Sequence, residues 1–331
     1  MPSLTKRDRI HLIYILAASH SGSTLLAMLL GSHPEIATVG ELKFTALGNV
    51  ERYLCSCQKE ITKCPFWSEV VREVARRGYS FDFSDAGTDL HSGMSRYVRK
   101  LLRPLHRGPV LEWARDSALA LSPTWRTRYP KFEELNRVVI ESVCIVTGKK
   151  VVVDSSKIGL RLKYLLRNPA LDVKVIRLIR DGRGVAMTYT DPARFADASD
   201  PRLRGGGMGG NREAERLSIA AAAREWRRSN EEAEEILRQL DHSRWLEVRY
   251  EALCTRTDET LRQLFAFIGV DQDQGLPRFR SVDHHIIGNG MRLNPNEEIR
   301  LDERWRSSLD ADSLKTFDSV AGDMNRRFAY N

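Results

Sequence analysis

The sequence predicts an α/β fold in which helices flank a parallel β-sheet and a helical insertion interrupts the alternation. Three observations lead there. Short, nearly continuous apolar runs at 10–16, 151–153, 173–179 and 245–250 each precede a segment of helical periodicity. Strands alternating with helices at this spacing build parallel sheets, whose strands are covered on both faces. Between the first and second of these runs, residues 67–147 carry helical periodicity broken by Gly and Pro, with many arginines and no clear strand. At 331 residues the chain is long enough for two domains, but a single large domain with an insertion accounts for the pattern. Residues 1–331 are therefore read as one domain.

The elements follow in order. The strand at 10–16 leads through small residues into a helix at 24–31. His33-Pro34 ends that helix, because proline pushes its predecessor out of the α region. A short strand at 36–39 precedes Gly40-Glu41-Leu42. After the insertion come a buried strand at 151–153, a helix at 159–166, a strand at 173–179 and a helix at 183–189. The segment 191–211 contains the run Gly205, Gly206, Gly207, Met208, Gly209, Gly210. A loop of this length is either a mobile lid over a site or a plain connection. A long helix at 212–240 has an apolar stripe in Leu217, Ala221, Ala233, Ile236, Leu237 and Leu240, so its charges form a solvated face. A strand at 245–250, a helix at 260–268 and a last helix at 311–328 complete the chain.

Composition narrows the function. There are 52 basic and 44 acidic residues, a net charge of +8. An anionic ligand suits that balance, but the basic residues are dispersed among acids, which argues against nucleic acid. No stretch approaches the roughly 20 apolar residues of a membrane span. The first residues run into the first strand without a signal peptide, so the expectation is a cytoplasmic protein.

The most informative segment is the turn after the first strand, Ser19-His20-Ser21-Gly22-Ser23-Thr24. Strand, small-residue loop and helix N-terminus converge free backbone N–H groups on one point, where the helix dipole favours an anion. A nucleotide-binding loop of the form G-x-x-x-x-G-K-S/T, laid on the chain, puts its first Gly on Ala17 and its Lys on Ser23. Gly22 and Thr24 are kept and the Lys is missing. The architecture is thus P-loop NTPase-like, with a phosphate-like ligand other than ATP or GTP. A second anion site is readable at 175–189. An apolar strand delivers Arg180 and Arg183 to the carboxyl end of the sheet, where open α/β sheets bind ligands. Arg180 suits bidentate phosphate binding, and Thr188 lies about two helical turns on. The alternative is an Arg180–Asp181–Arg183 salt-bridge cluster capping a helix.

Together these segments resemble the sulfotransferases that use 3′-phosphoadenosine 5′-phosphosulfate (PAPS). His20-Ser21-Gly22-Ser23-Thr24 matches that family's 5′-phosphosulfate loop, and Arg180-Asp181-Gly182-Arg183 through Thr188 matches its 3′-phosphate segment. Gly40-Glu41-Leu42 is similar to the region supplying the catalytic base in the tyrosylprotein and bacterial carbohydrate or lipid branches. Tyr250-Glu251-Ala252-Leu253 resembles an element whose Tyr approaches the cofactor. Gly288-Asn289-Gly290-Met291-Arg292 resembles a late basic element closing over the 3′-phosphate. The matches keep the family's order between about residues 10 and 310.

The resemblance implies a sulfotransferase that uses PAPS as co-substrate and no metal. It implies donor binding by His20, Ser21, Gly22, Ser23, Thr24, Arg180, Thr188, Tyr250 and Arg292, to which the loop adds Ser19, and catalysis by Glu41 and His20, to which Lys157 is added because it follows a buried strand to the ligand-binding end of the sheet. His20 stands where the family usually has Lys or Arg. Glu41 is the candidate base, most effective if burial raises its pKa, with pairing to Lys43 as the structural alternative. Lys157 is a candidate for stabilising the leaving group. Asp154 is expected to cap the following helix, and Trp226 and Trp305 either line an acceptor pocket or pack inside. The acceptor is a carbohydrate, a lipid or a small molecule, with peptide tyrosine also open; the insertion 67–147 is expected to shape its site. A small-metabolite kinase or a non-catalytic nucleotide-binding protein of the same fold are the competing readings.

Cys55, Cys57 and Cys64 cluster in sequence. Zinc would want a fourth ligand and a more usual spacing, and neither is visible nearby. A local disulfide is conceivable but disfavoured in the cytosol. The remaining reading is a set of reduced thiols packing a hairpin against Phe66 and Trp67.

Overall fold

The computed structural model describes residues 10–45, 47, 49–103, 108–204, 215–274, 279, 284–294 and 298–331. Five strands, β1 (Ile10–Ala17), β2 (Ile36–Gly40), β3 (Val151–Lys157), β4 (Leu171–Ile179) and β5 (Trp245–Arg249), form one sheet in the order β2-β3-β1-β4-β5. Every pairing is parallel, with His11 opposite Val151 on one side of β1 and Ile10 opposite Leu171 on the other. Period-two alternation divides β1 between two cores. Leu12, Tyr14 and Leu16 face one layer, and Ile13, Ile15 and Ala17 the other.

Helices cover both faces. They are α1 (Ser23–Leu30), α2 (Pro65–Arg76), α3 (Arg96–Leu101), α4 (Gly108–Leu121), α5 (Pro123–Thr147), α6 (Gly159–Leu165), α7 (Gly182–Thr190), α8 (Pro192–Ala196), α9 (Ile219–Leu237), α10 (Tyr250–Thr255), α11 (Thr257–Ile268), α12 (Trp305–Ser308) and α13 (Ala311–Arg327). The described part of the region 67–147 holds most of α2 and all of α3, α4 and α5, with turns and loop at 77–95, and the second half of α5 is part of the main core. Its Val138, Val139, Ile140 and Val143 are buried in the same cluster as Leu12 and Val152. No helix among the described residues is long and apolar enough to cross a membrane.

Some boundaries differ from expectation for local reasons. The long helix begins at Ile219 rather than 212, because Ser218 caps it, accepting from Ala221 N–H. Tyr250 opens α10 instead of ending β5. The glycine run 205–210 lies outside the described residues, while 191–204 contains α8 and a 3-10 turn at Pro201–Leu203. Trp226 and Trp305 are buried, Trp226 against Phe317 and Phe328.

The loop after β1 leads toward β2 at one edge of the sheet, and the loop after β4 leads toward β5 at the other. Adjacent strands whose connections diverge in this way open a crevice at their carboxyl ends.

Candidate active site

A cleft of about 1060 Å³ lies at that crevice. It is lined by Ser19, His20, Gly22, Ser23, Thr24, Glu41, Lys157, Arg180, Thr188 and Tyr250, so ten of the twelve residues singled out from sequence meet there. Ser21 and Arg292 do not line it. Ser21 is buried. Arg292 is buried over the Tyr53 ring and donates to the backbone oxygens of Gly288, Asn289 and Leu54. Its guanidinium ties together main chain behind the cleft.

One wall of the cleft is the N-terminus of α1. Gly22 is its N-cap, in the left-handed region at φ +93°, and makes no side-chain cap. The first-turn amides are thereby left to the cleft that Gly22, Ser23 and Thr24 line. A Cβ on Gly22 would lie 2.5 Å from Tyr250 Cδ2, so the loop rests directly on that ring. His20 also has a positive φ, +63°, uncommon for a side-chain-bearing residue and frequent at functional sites. Its ring meets Tyr189 edge-on at 4.6 Å.

Arg180 bridges the loop to the C-terminal region. It donates to His20 O (2.8 Å), pairs with Asp302 (2.9 Å) and lies 4.5 Å from the centre of the Tyr250 ring. Arg183 turns away, pairing with Asp181 (2.7 Å) over the Trp305 ring. Asp181 caps α7 through Arg183 N–H. The envisaged three-member cluster is therefore split, with Asp181 and Arg183 forming the helix cap and Arg180 facing the cleft. Gly182 between them has no room for a side chain, since a Cβ would sit 2.6 Å from Phe317. Thr188 is buried and donates to Gly184 O (2.9 Å).

Opposite lies the acid. Glu41 Oε1 accepts from Lys157 Nζ, and Oε2 lies 3.3 Å from Lys43 Nζ. Burial alone would push this carboxyl up, the direction anticipated from sequence. The two ammonium groups outweigh it and hold the pKa down at about 2. Lys157 responds differently. Its pKa is also lowered, because desolvation and the repulsion of Lys43 exceed the attraction of Glu41. Lys157 sits at φ +69° at the end of β3, which turns its side chain off the regular strand path.

Asp154 does not cap α6. Its carboxylate is buried, accepting from Leu42 N–H (3.2 Å) and Ser156 N–H (2.9 Å) and from Arg161 through Nε and Nη2. It thus fastens the main chain beside Glu41 to β3, the strand that carries Lys157. Beyond Gly40 the sheet is extended by residue Ile287, whose N–H donates to Val39 O and whose carbonyl accepts from Glu41 N–H, both at 3.0 Å. Gly40 is at φ +80°, and a Cβ there would fall 1.8 Å from Ile287 O.

Sequence reasoning missed Lys43 as a cleft residue and the Asp302 carboxylate, which burial pushes up but Arg304 and Arg180 hold down at about 2. Lys43 was readable only as a partner of Glu41; Asp302 has no local signal.

The expectation of no metal requires correction. Cys55, Cys57 and Cys64 are joined by His285, and the four ligand atoms lie within 4.8 Å of one another, an arrangement able to hold a metal ion. The fourth ligand was not visible near the cysteines because it comes from a segment 221 positions beyond Cys64.

The parallel sheet, its covering helices and the cleft at the strand ends define an α/β protein of P-loop-like architecture. A model of the Sulfotransferase family matches residues 169–274, from just before β4 to just past α11. Over that segment, about a third of the chain, the sequence is similar to the Sulfotransferase family. Among solved structures it is similar to the sulfotransferase domain from the Synechococcus PCC 7002 olefin synthase, at 19% identity and a TM-score of 0.48, covering 99% of this chain and 98% of that one. It is also similar to the sulfotransferase domain from the curacin biosynthetic pathway (18%, 0.47, 98% and 98%) and to sulfotransferase STF9 from Mycobacterium avium (12%, 0.46, 94% and 76%). No curated protein matches the sequence.

Proposed function

We propose that this protein transfers a sulfuryl group from PAPS to a hydroxyl of a carbohydrate, lipid or small-molecule acceptor. The observation that carries this reading is the convergence, in one cleft, of the α1 N-terminus, Arg180 and the Glu41–Lys157 pair. The loop Ser19–Thr24 receives the 5′-phosphosulfate and Arg180 the 3′-phosphate. The acceptor oxygen attacks sulfur in line, its proton passes to Glu41, and the bond from sulfur to the 5′-phosphate oxygen breaks. That oxygen leaves with the electron pair as adenosine 3′,5′-bisphosphate, and Lys157 donates a hydrogen bond to it as charge develops.

The free-state pairing gives this reaction an order. A carboxylate held at about 2 by two ammonium groups is a weak base. When donor phosphate draws Lys157 away, one of those groups is lost and burial raises the pKa of Glu41 toward the range a general base needs. The base is thereby strengthened only once the donor is bound.

The test is ligand preference followed by transfer. Adenosine 3′,5′-bisphosphate should stabilise the folded protein against heat where Mg-ATP does not. Labelled sulfate from PAPS should then appear on a hydroxylated acceptor from a mixed panel. Stabilisation by Mg-ATP alone, with phosphate transfer, would replace this reading with the kinase.

A further inference from the structure

We propose that Cys55, Cys57, Cys64 and His285 bind one structural Zn²⁺, and that this ion pins the segment 284–288 beside β2, fixing the main chain of Glu41. The site is separate from the donor cleft, and the proposal stands whether or not the protein transfers sulfate.

The distances suit tetrahedral coordination. Zinc binds thiolate at about 2.3 Å and imidazole nitrogen at about 2.0 Å. A tetrahedron of that size has sulfur–sulfur edges of about 3.8 Å and sulfur–nitrogen edges of about 3.5 Å, by geometry from those bond lengths. Here Cys57 Sγ and Cys64 Sγ are 3.6 Å apart, and His285 Nδ1 lies 3.3 Å from Cys64 Sγ and 3.7 Å from Cys55 Sγ. The cysteines are free thiols. Three soft thiolates and one imidazole favour zinc over the oxygen-seeking cations, and four protein ligands leave no open position, which marks a structural site. Binding turns the three thiols into thiolates and releases their protons to solvent.

The surroundings hold the donors in place. Leu54 bridges Glu60, Cys55 N–H donates to Lys59 O (2.8 Å) and Gln58 N–H to Cys55 O (2.8 Å), so Cys55 and Cys57 sit on a tight turn. That turn includes Gln58 at φ +64°. The Phe66 ring stacks on His285 at 4.5 Å and 7°, and Trp67 Nε1 donates to His285 O (3.1 Å). Ser56 Oγ donates to His284 O (2.6 Å) and accepts from Ile286 N–H (2.8 Å). Two residues past His285, Ile287 makes its paired hydrogen bonds with Val39 and Glu41. Tyr53, two residues before Cys55, accepts from Gly288 N–H through its hydroxyl (2.8 Å). The cysteine turn and the 284–288 segment are thus bound to each other on either side of the four ligands, and the segment is bound in turn to the acid of the cleft.

The full chain, purified under reducing conditions without chelator, should contain one zinc per molecule by elemental analysis. His285→Ala should lose it, and His285→Cys, which restores a ligand, should keep it. Wild-type protein stripped of metal and refilled with Co²⁺ should develop thiolate charge-transfer absorption and the intense visible bands of tetrahedral cobalt, a readout that needs no variant to fold. Hydrogen exchange at the amides of Glu41 and Ile287 should slow on returning zinc to stripped protein. Metal-free protein that fails to take up zinc or cobalt, or cysteines found paired as a disulfide, would overturn the site. Stoichiometric zinc with unchanged exchange at Glu41 and Ile287 would overturn the positioning role.

Discussion

Replacing Glu41 by Gln keeps the shape of the side chain while removing its charge and its ability to take a proton. The carboxyl titrates at about 2 in the fold against an ordinary 4.5, a difference worth about 3 kcal/mol of folding stability at neutral pH. Because the folded value is depressed, this stability is fully present above pH 4.5 and is lost as pH falls toward 2. At pH 3 about two fifths of it remains. Urea unfolding followed by tryptophan fluorescence should show wild type exceeding Glu41→Gln by about 3 kcal/mol at pH 7, with the gap narrowing below pH 4. Turnover should fall by roughly 10²–10⁴-fold. Affinity for adenosine 3′,5′-bisphosphate should hold or rise, since Lys157 no longer has a competing partner. A gap under about 1 kcal/mol that does not change with pH would refute the electrostatic account. Near-normal turnover in Glu41→Gln, with turnover abolished in His20→Ala, would move the base to His20.

Arg180→Ala should weaken adenosine 3′,5′-bisphosphate by about 10–100-fold in calorimetry while affecting adenosine 5′-phosphosulfate far less, as expected for loss of one charge-assisted contact; equal weakening of both would refute its 3′-phosphate role. Gly22→Ala places a Cβ 2.5 Å from Tyr250 at φ +93°, so donor affinity should drop by about tenfold or more, and unchanged affinity would count against the loop as the phosphosulfate site. Gly40→Ala drives a Cβ into Ile287 O at 1.8 Å. It should lower the urea midpoint and speed hydrogen exchange at Glu41, and a neutral result would mean that the 284–288 segment is not needed to hold the acid.

What could be read along the chain is what short-range physics controls. The strand at 10–17, the Gly22 turn and α1 follow from an apolar run, a residue free to adopt positive φ and a helical repeat, all within about twenty positions. Arg180 and Lys157 were legible as residues at the carboxyl end of the sheet because Arg180 directly follows an apolar strand and Lys157 lies a few residues past the apolar run 151–153, and parallel sheets present those ends to the same side. The strand order had no such signature: β1 lies between β3 and β4, and the backbone groups that pair strands are alike in every strand and do not encode which neighbours they take. The electrostatics of Glu41 were equally hidden. Whether burial or cations prevail depends on Lys157, which is 116 positions away in the chain and bonded to the acid in the fold. Arg292, read as a ligand from its motif, lies behind the cleft because nearby backbone carbonyls need its donors. His285 completes the cysteine cluster only because Ile287 extends the sheet beside Gly40 and carries the histidine with it. Periodicity and turn chemistry act over a few residues, whereas ion pairs and ligand sets depend on distance in space, and only the folded chain determines that distance.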